Sequence, residues 1–307
     1  MYNQEIKEKY IKEEAKSHRG KTRSTIFFNA IEPYETKWNS DLCSMKVEQL
    51  SEVLQKTSGM SVTTRSSNYT RAKRYIEWCI ANNVPGACGA ILDVKRDDIS
   101  QVENIRRRTV KNPFELNVFL NQLFDPDTED TIDLTYRCYF WCAYAGIKQE
   151  DVMSIKTRNV DLIDGVIRYK GEEFPIYQEA RTVFKKCVKL NQFINKKYKS
   201  EIVYKDRVDG NLLLRGLRAT PTVSYFGGLI SKIVKAANDN GKVNKTLAYT
   251  DAYISGFYYR MYLRESAGLP IPFEQLTKAI YGDIKPKDIG RYATAVKKNY
   301  YSWKETL

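Results

Sequence analysis

The chain has 307 residues and a formal net charge of +13, with 42% hydrophobic and 12% aromatic residues, enough to bury a sizeable core over one to three domains. No run reaches the ~18 apolar residues of a membrane span, and the polar amino terminus lacks the apolar centre of a signal peptide, so a cytoplasmic protein with no membrane partner is expected. The cationic excess favours a polyanionic partner, although an inert basic surface has the same composition.

Taken in chain order, residues 1–24 read as a charged arm, partly helical and loosely held. A small all-helical domain follows over residues 25–104. Its first helix covers 46–57, where Val47, Leu50, Val53 and Leu54 share a face. Its second covers 67–82, with Ala72, Tyr75, Ile76, Cys79 and Ile80 at helical spacing and Ser66 or Ser67 as a cap. Asn82, Asn83, Pro85 and Gly86 break the chain. Residues 105–112 are basic and without apolar period, and they read as an interdomain linker ending at Pro113.

The domain over 113–307 opens with a helix carrying Phe114, Leu116, Phe119, Leu120 and Leu123, broken at Asp125-Pro126-Asp127. A buried helix runs through Tyr136–Ala145 to Gly146, and a short one covers 149–156. The period then becomes extended. Val160 to Tyr169 and Phe174 to Tyr177 read as a small hairpin set, with turns at Asp164-Gly165 and Lys170-Gly171. A long helix follows with Ala180, Val183, Phe184, Cys187, Leu190 and Ile194 on its inner face, and further helices lie near 222–237, 251–266, 273–281 and 286–303. The six cysteines (Cys43, Cys79, Cys88, Cys138, Cys142, Cys187) contain no CxxC pair, and the only histidine is His18. Reduced, buried thiols are expected, with no metal and no cofactor.

This order of elements resembles the tyrosine recombinase (phage integrase) family. The resemblance covers roughly residues 25–307, and two segments carry it. In Tyr144-Ala-Gly-Ile-Lys-Gln-Glu-Asp-Val-Met-Ser-Ile155, the residues Gly146, Ile147, Asp151, Val152 and Ile155 fit the family pattern. Lys148 stands where the family has its first catalytic Arg. In Ile280-Tyr-Gly-Asp-Ile-Lys-Pro-Lys-Asp-Ile-Gly-Arg-Tyr292, Gly282, Arg291 and Tyr292 fit. Asp283 replaces a His or Trp, and Tyr292 matches the nucleophile. Between them the family carries His-x-x-Arg, but Thr250 to Arg264 contains no His, and its nearest Arg, Arg260, falls about a turn too late. Lys170 matches the catalytic Lys of the hairpin.

The resemblance implies a mainly α, two-domain fold with a helical core-binding domain and an α-rich catalytic-like domain holding a small antiparallel sheet. In the family, Tyr attacks a DNA phosphodiester while two Arg clamp the phosphate oxygens and Lys and His move protons. Removing one preorganised donor from such a centre costs on the order of 10²–10³ in rate, and Lys148 lacks the planar two-pronged grip of Arg. The expectation is therefore a catalytically inactive protein with Lys148, Lys170, Asp283 and Tyr292 at vestigial positions. Tyr292 also stands at helical spacing from Ile289 and Val296, so plain packing is open as well. Such a degenerate member resembles the integrase-like lysis–lysogeny repressors of SPβ-type Bacillus prophages, and an active but divergent recombinase is the alternative.

Double-stranded DNA is the implied partner. Arg65, Asn68, Tyr69, Arg71, Lys73 and Arg74 combine cations with hydrogen-bonding side chains at a helix start. Arg106, Arg107 and Arg108 in the linker, Lys148 and Lys170 in the vestigial site, Arg215 and Arg218 ahead of a helix start, and Arg291 complete the candidates. Tyr300 and Trp303 are large anchors, suited to a neighbouring copy on DNA or to their own domain. A regulatory protein or peptide is a compatible further partner.

Overall fold

The computed structural model describes residues 1–15, 17–57, 62–95, 99, 102–127, 129–190, 192–195, 203–206, 211–215, 222–282 and 284–307. It divides into two compact units, Met1–Ile105 with Gly290–Ser302, and Arg106–Ile289 with Trp303–Leu307. Among the described residues, no helix is long and apolar enough to cross a membrane.

The first unit contains α1 (Gln4–Glu14), α2 (His18–Trp38), α3 (Val47–Thr57) and α4 (Val62–Ala81). The segment expected as a loose arm is part of its core. Tyr10 and Ile11 are buried, and the Tyr10 ring stands edge-on to Phe28 and Tyr75 at 5.9 and 5.2 Å. Lys7 completes the buried face, its ammonium paired with Glu35 and 3.8 Å from Asp41. A sequence reader counts Lys7 as solvent-facing, which leaves too few apolar positions to reveal the amphipathic face. The helix α4 begins at Val62, so Ser66 and Ser67 lie inside it and neither caps it. The expected linker is not irregular either. Val102–Arg108 forms α5, with Ile105 buried.

In the second unit, α6 (Pro113–Leu123) starts on Asn112, whose side chain accepts from the Glu115 N–H, with Pro at the first helical position. Asp130 caps α7 (Thr131–Ala145) in the same way, and Gly146 at φ 104° ends it. From Asp133 to Ala145 every side chain is buried, so α7 is the central rod of this unit. Following α8 (Gln149–Val152), the strands β1 (Val160–Asp161), β2 (Val166–Tyr169) and β3 (Glu172–Pro175) make an antiparallel sheet in that order. Tyr169 pairs with Glu172 across a two-residue turn in which Lys170 and Gly171 both have positive φ, 51° and 80°, the backbone that a tight hairpin requires.

The helix α9 (Arg181–Lys189) is shorter than its apolar pattern suggests. Leu190 is extended, and Ile194 belongs to β4 (Gln192–Asn195), which pairs with β5 (Val203–Asp206). Spacing at 3.6 carried over by chance into a strand that places Ile194 near the same core. The chain ends with α10 (Val223–Asp239), α11 (Tyr249–Ser266), α12 (Phe273–Tyr281) and α13 (Ile289–Lys304). Of the tail, Gly290–Ser302, which includes Tyr300, groups with the first unit, whereas the Trp303 ring belongs to the second and packs on Tyr258 at 5.7 Å and Tyr262 at 6.4 Å. This mainly α, two-unit architecture with a small antiparallel sheet in the second unit is the one the resemblance implies.

Candidate nucleic-acid interface

In the first unit, most of the cluster expected to touch DNA is engaged in holding α4 in place. Arg65 donates to the Ile99 carbonyl and Tyr69 to the Val94 carbonyl. Asn68 is buried, donating to the Thr57 carbonyl at 3.0 Å and accepting from Arg71. An amide so enclosed is a tie between helices and has no edge left for a base. Lys73 pairs with Glu77 one turn on, at 3.7 Å. Only Arg74 of the six stands exposed.

The sequence reading missed the other half of this surface. Arg19, Lys21 and Arg23 are exposed at the start of α2. Burial first, and then the nearby charge of Arg23 of α2, lowers the affinity of the Arg71 guanidinium of α4 for its proton. Cations in the first turns of a helix oppose its dipole, so helix stability does not account for them. The available signal was that placement, hidden by the assignment of residues 1–24 to an arm.

The second unit holds the cleft that contains Lys148. A cavity of about 410 Å³ is lined by Lys148, by Tyr249, Thr250, Tyr253 and Ile254 of α11, and by Tyr281 and Gly282. It thus joins Lys148 to the start of α11 and to the residue preceding Asp283. Among the described residues, neither Arg nor His lines it. Tyr253 donates to the Ala279 carbonyl at 2.9 Å, and burial pushes its hydroxyl up to about 12, so it stays protonated and occupied. Lys148 is exposed, and its ammonium has no ion pair or hydrogen bond among the described residues.

Arg260 lies two turns beyond Tyr253, roughly 10 Å along the helix, and does not line the cavity. Its guanidinium donates to the Tyr144 carbonyl at 2.9 Å and covers the Phe257 ring at 4.5 Å. A Cβ on Gly146 would meet it at 2.8 Å, so Gly146 both ends α7 and makes room for Arg260. Lys170 is also engaged. Its ammonium donates to Asp151 at 2.6 Å, and that bond holds its pKa above the ordinary lysine value. Glu172 and Glu173 follow at the hairpin, where Glu173 joins Asp161 and Asp164 around Arg168. The hairpin is therefore acidic, and Lys170 is a poor phosphate ligand as it stands. Asp151→Asn is expected to release it, steepening the dependence of log K on log salt by about 0.9 for duplex DNA. Salt-titrated binding isotherms of the two proteins check this, and identical slopes would mean that Lys170 stays away from the backbone.

Of the linker cations, Arg106 and Arg107 are exposed, whereas Arg108 donates to the buried Asp251 carboxylate at 2.9 Å. Burial, opposed by Arg108, raises the Asp251 pKa. Lys245 fastens the end of α5 from below, donating to the Arg106 and Thr109 carbonyls at 2.7 Å each. Arg215 is half-buried, with its Nε and one terminal nitrogen sealed from solvent. Arg218 and Asp283 lie outside the described residues. Arg291 is exposed and covers the half-buried Tyr292 ring at 5.2 Å; both group with the first unit.

Among solved structures, the chain is similar to residues 82–397 of the Tn1549 transposon integrase in complex with circular intermediate DNA, at 14% identity and a TM-score of 0.38, covering 94% of this chain and 93% of that one. It is also similar to XerA recombinase, at 12% identity and a TM-score of 0.40, covering 98% of each chain. No curated protein matches the chain. Residues 1–81 match the family model described as MrpR, N-terminal core-binding domain.

Proposed function

We propose that this protein binds double-stranded DNA at specific sequences and holds it without cutting it, acting as a transcriptional repressor of a phage lytic cycle in the host cytoplasm. The observation that carries the reading is the state of the cations around the vestigial cleft. Arg260 is tied to Tyr144 and Phe257, Lys170 is paired with Asp151, and among the described residues Lys148 is the one cation that lines the cavity. One ammonium holds a phosphate but does not supply the two preorganised guanidinium clamps that charge build-up at phosphorus requires.

Binding has ample charge elsewhere. Arg19, Lys21, Arg23 and Arg74 of the first unit, and Arg106 and Arg107 at the start of the second, are exposed. The outer face of α10 presents Ser224, Tyr225 and Lys232, a mixture of hydroxyls and a cation suited to a DNA groove. The match of residues 1–81 to a core-binding domain model adds support. Self-association on DNA and release by a regulatory protein belong to the same reading.

Selection of bound genomic fragments, followed by footprinting and gel shift at moderate salt, tests it. Sites are expected within promoters, and removing any one exposed phosphate-contacting cation should lower the salt slope by about 0.9. Absence of sequence-specific binding would remove the proposal. The retained Arg291-Tyr292 pair favours one alternative, a divergent recombinase. A covalent complex trapped on nicked duplex, and lost on Tyr292→Phe, would establish that instead.

A further inference from the structure

We propose that the second unit binds a nucleoside phosphate in a pocket of its own, alongside the vestigial cleft. The pocket is a cavity of about 550 Å³ walled by α10, the segment Thr246–Thr250 and Arg107, within the ~300–1,000 Å³ range of small-molecule sites. It shares Gln149, Tyr249 and Thr250 with the cleft and otherwise has its own walls. This inference does not rest on the DNA-binding reading.

The lining has a definite polarity. Arg107 and Lys235 bring two exposed cations, and neither side chain has an ion pair or hydrogen bond among the described residues. Asp239 is the only carboxylate among the lining residues, and it too lacks a partner among the described residues. Ser231, Lys235 and Asp239 follow one another at four-residue spacing on α10, so each is about 6 Å from the next along the axis. The pocket is thus anion-seeking in its middle and donor-seeking at one end. Ser231, Thr246 and Thr250 offer hydroxyls. Ile230, Val234, Leu247 and the Tyr249 ring, all buried, supply an apolar wall.

A nucleoside phosphate matches each part. Its phosphate oxygens accept from Lys235, Arg107 and the hydroxyls. Its base lies on the apolar wall. Its ribose hydroxyls or exocyclic amine donate to Asp239. Inorganic phosphate satisfies the cations but leaves Asp239 and the apolar wall unmatched. A fatty acid leaves Asp239 facing hydrocarbon, which is unfavourable for a charged group. A DNA backbone phosphate shares the oxyanion chemistry, so the experiment has to separate that source from a free nucleotide.

The full-length protein without DNA is titrated calorimetrically at low salt with AMP, GMP, ADP and inorganic phosphate, and its thermal unfolding is followed in parallel. At least one nucleotide is expected to saturate, to bind at least about tenfold more tightly than inorganic phosphate, and to raise the melting temperature of the second unit by a few degrees. Lys235→Ala should weaken nucleotide and phosphate alike. Asp239→Asn should weaken the nucleotide severalfold and leave inorganic phosphate unchanged. Three results would overturn the proposal. One is no saturation by any of the nucleotides at millimolar concentration. Another is equal affinity for nucleotide and inorganic phosphate. The last is a loss of DNA affinity in Lys235→Ala while nucleotides leave the protein untouched, which would assign the cations to the DNA backbone.

Discussion

Gly256→Ala is expected to destabilise the second unit by about 3 kcal/mol. The central pair of that unit is α7 against α11, and Gly256 of α11 packs directly on the Tyr144 backbone of α7. A Cβ there would lie 1.9 Å from the Tyr144 carbonyl oxygen and 2.7 Å from its carbon. These are backbone atoms of a helix whose side chains are buried from Asp133 to Ala145, so they cannot turn aside as a flexible side chain would. Either the helices part, which opens voids along Tyr144 and Phe257, or α11 unwinds locally. The same shift disturbs Arg260, whose bond to the Tyr144 carbonyl spans this contact. A drop in melting temperature of roughly 6–12 °C follows from that energy for a domain of this size. Gly228→Ala is the control. It too lies in a helix interior, but a Cβ there meets nothing within 4 Å, so the substitution should stabilise by about 0.8 kcal/mol through helix propensity alone. Thermal and denaturant unfolding of the two variants measure both effects, and a Gly256→Ala protein that melts with the wild type would refute the close packing of α7 on α11.

The second large effect is in the first unit. Lys7→Met should cost about 3–5 kcal/mol at neutral pH. The ammonium is fully buried between Glu35 and Asp41, and Glu35 is itself fully buried. Removing it leaves carboxylates without a cation in a region of low polarity. Glu35 also accepts from the Leu42 N–H at 2.9 Å, and Asp41 from the Tyr75 hydroxyl at 3.1 Å, so these groups cannot rotate out to water without breaking further bonds.

The pH dependence has a definite sign. Burial, outweighing the attraction of Lys7, raises the Glu35 pKa above its ordinary value of 4.5. The neutral acid is therefore favoured in the folded state. The stability this gives is fully present below the ordinary value and is lost as the pH rises through the raised folded value. Without Lys7 the raised value moves higher still. The gap in stability between Lys7→Met and wild type should then narrow on acidification from neutral pH toward 4.5. Adding Glu35→Gln to Lys7→Met should recover part of the loss at neutral pH. Denaturant midpoints at two pH values decide this, and a gap independent of pH would mean that Glu35 does not carry the penalty.

The buried network also explains why α1 was illegible. Its inward face is Lys7, Tyr10 and Ile11, and a lysine announces solvent to any reader of hydropathy. Only the presence of Glu35 and Asp41, 28 and 34 positions further along the sequence, makes it an inward residue. Asn68 failed for the related reason that an amide in a basic stretch has the same composition whether it faces a base or, as here, the Thr57 carbonyl. Arg108 and Lys170 failed likewise, because Asp251 and Asp151 reach them from distant or folded-back segments.

By itself the sequence determined the apolar rods and their stops: α3, α6, α7 with its Gly146 end, and the hairpin turn at Lys170-Gly171. It also determined that the segment Thr250 to Arg264 holds no His, because composition and local order are properties of the chain alone. Tertiary structure alone decided which cations remain available. Arg65, Arg71, Arg108, Lys170 and Arg260 each acquire a protein partner, whereas Arg23, Arg74, Arg106, Arg107 and Lys148 stand exposed. A charge is written in the sequence, but its field is set by the partner that folding brings within a few ångströms, and that distance has no local signature.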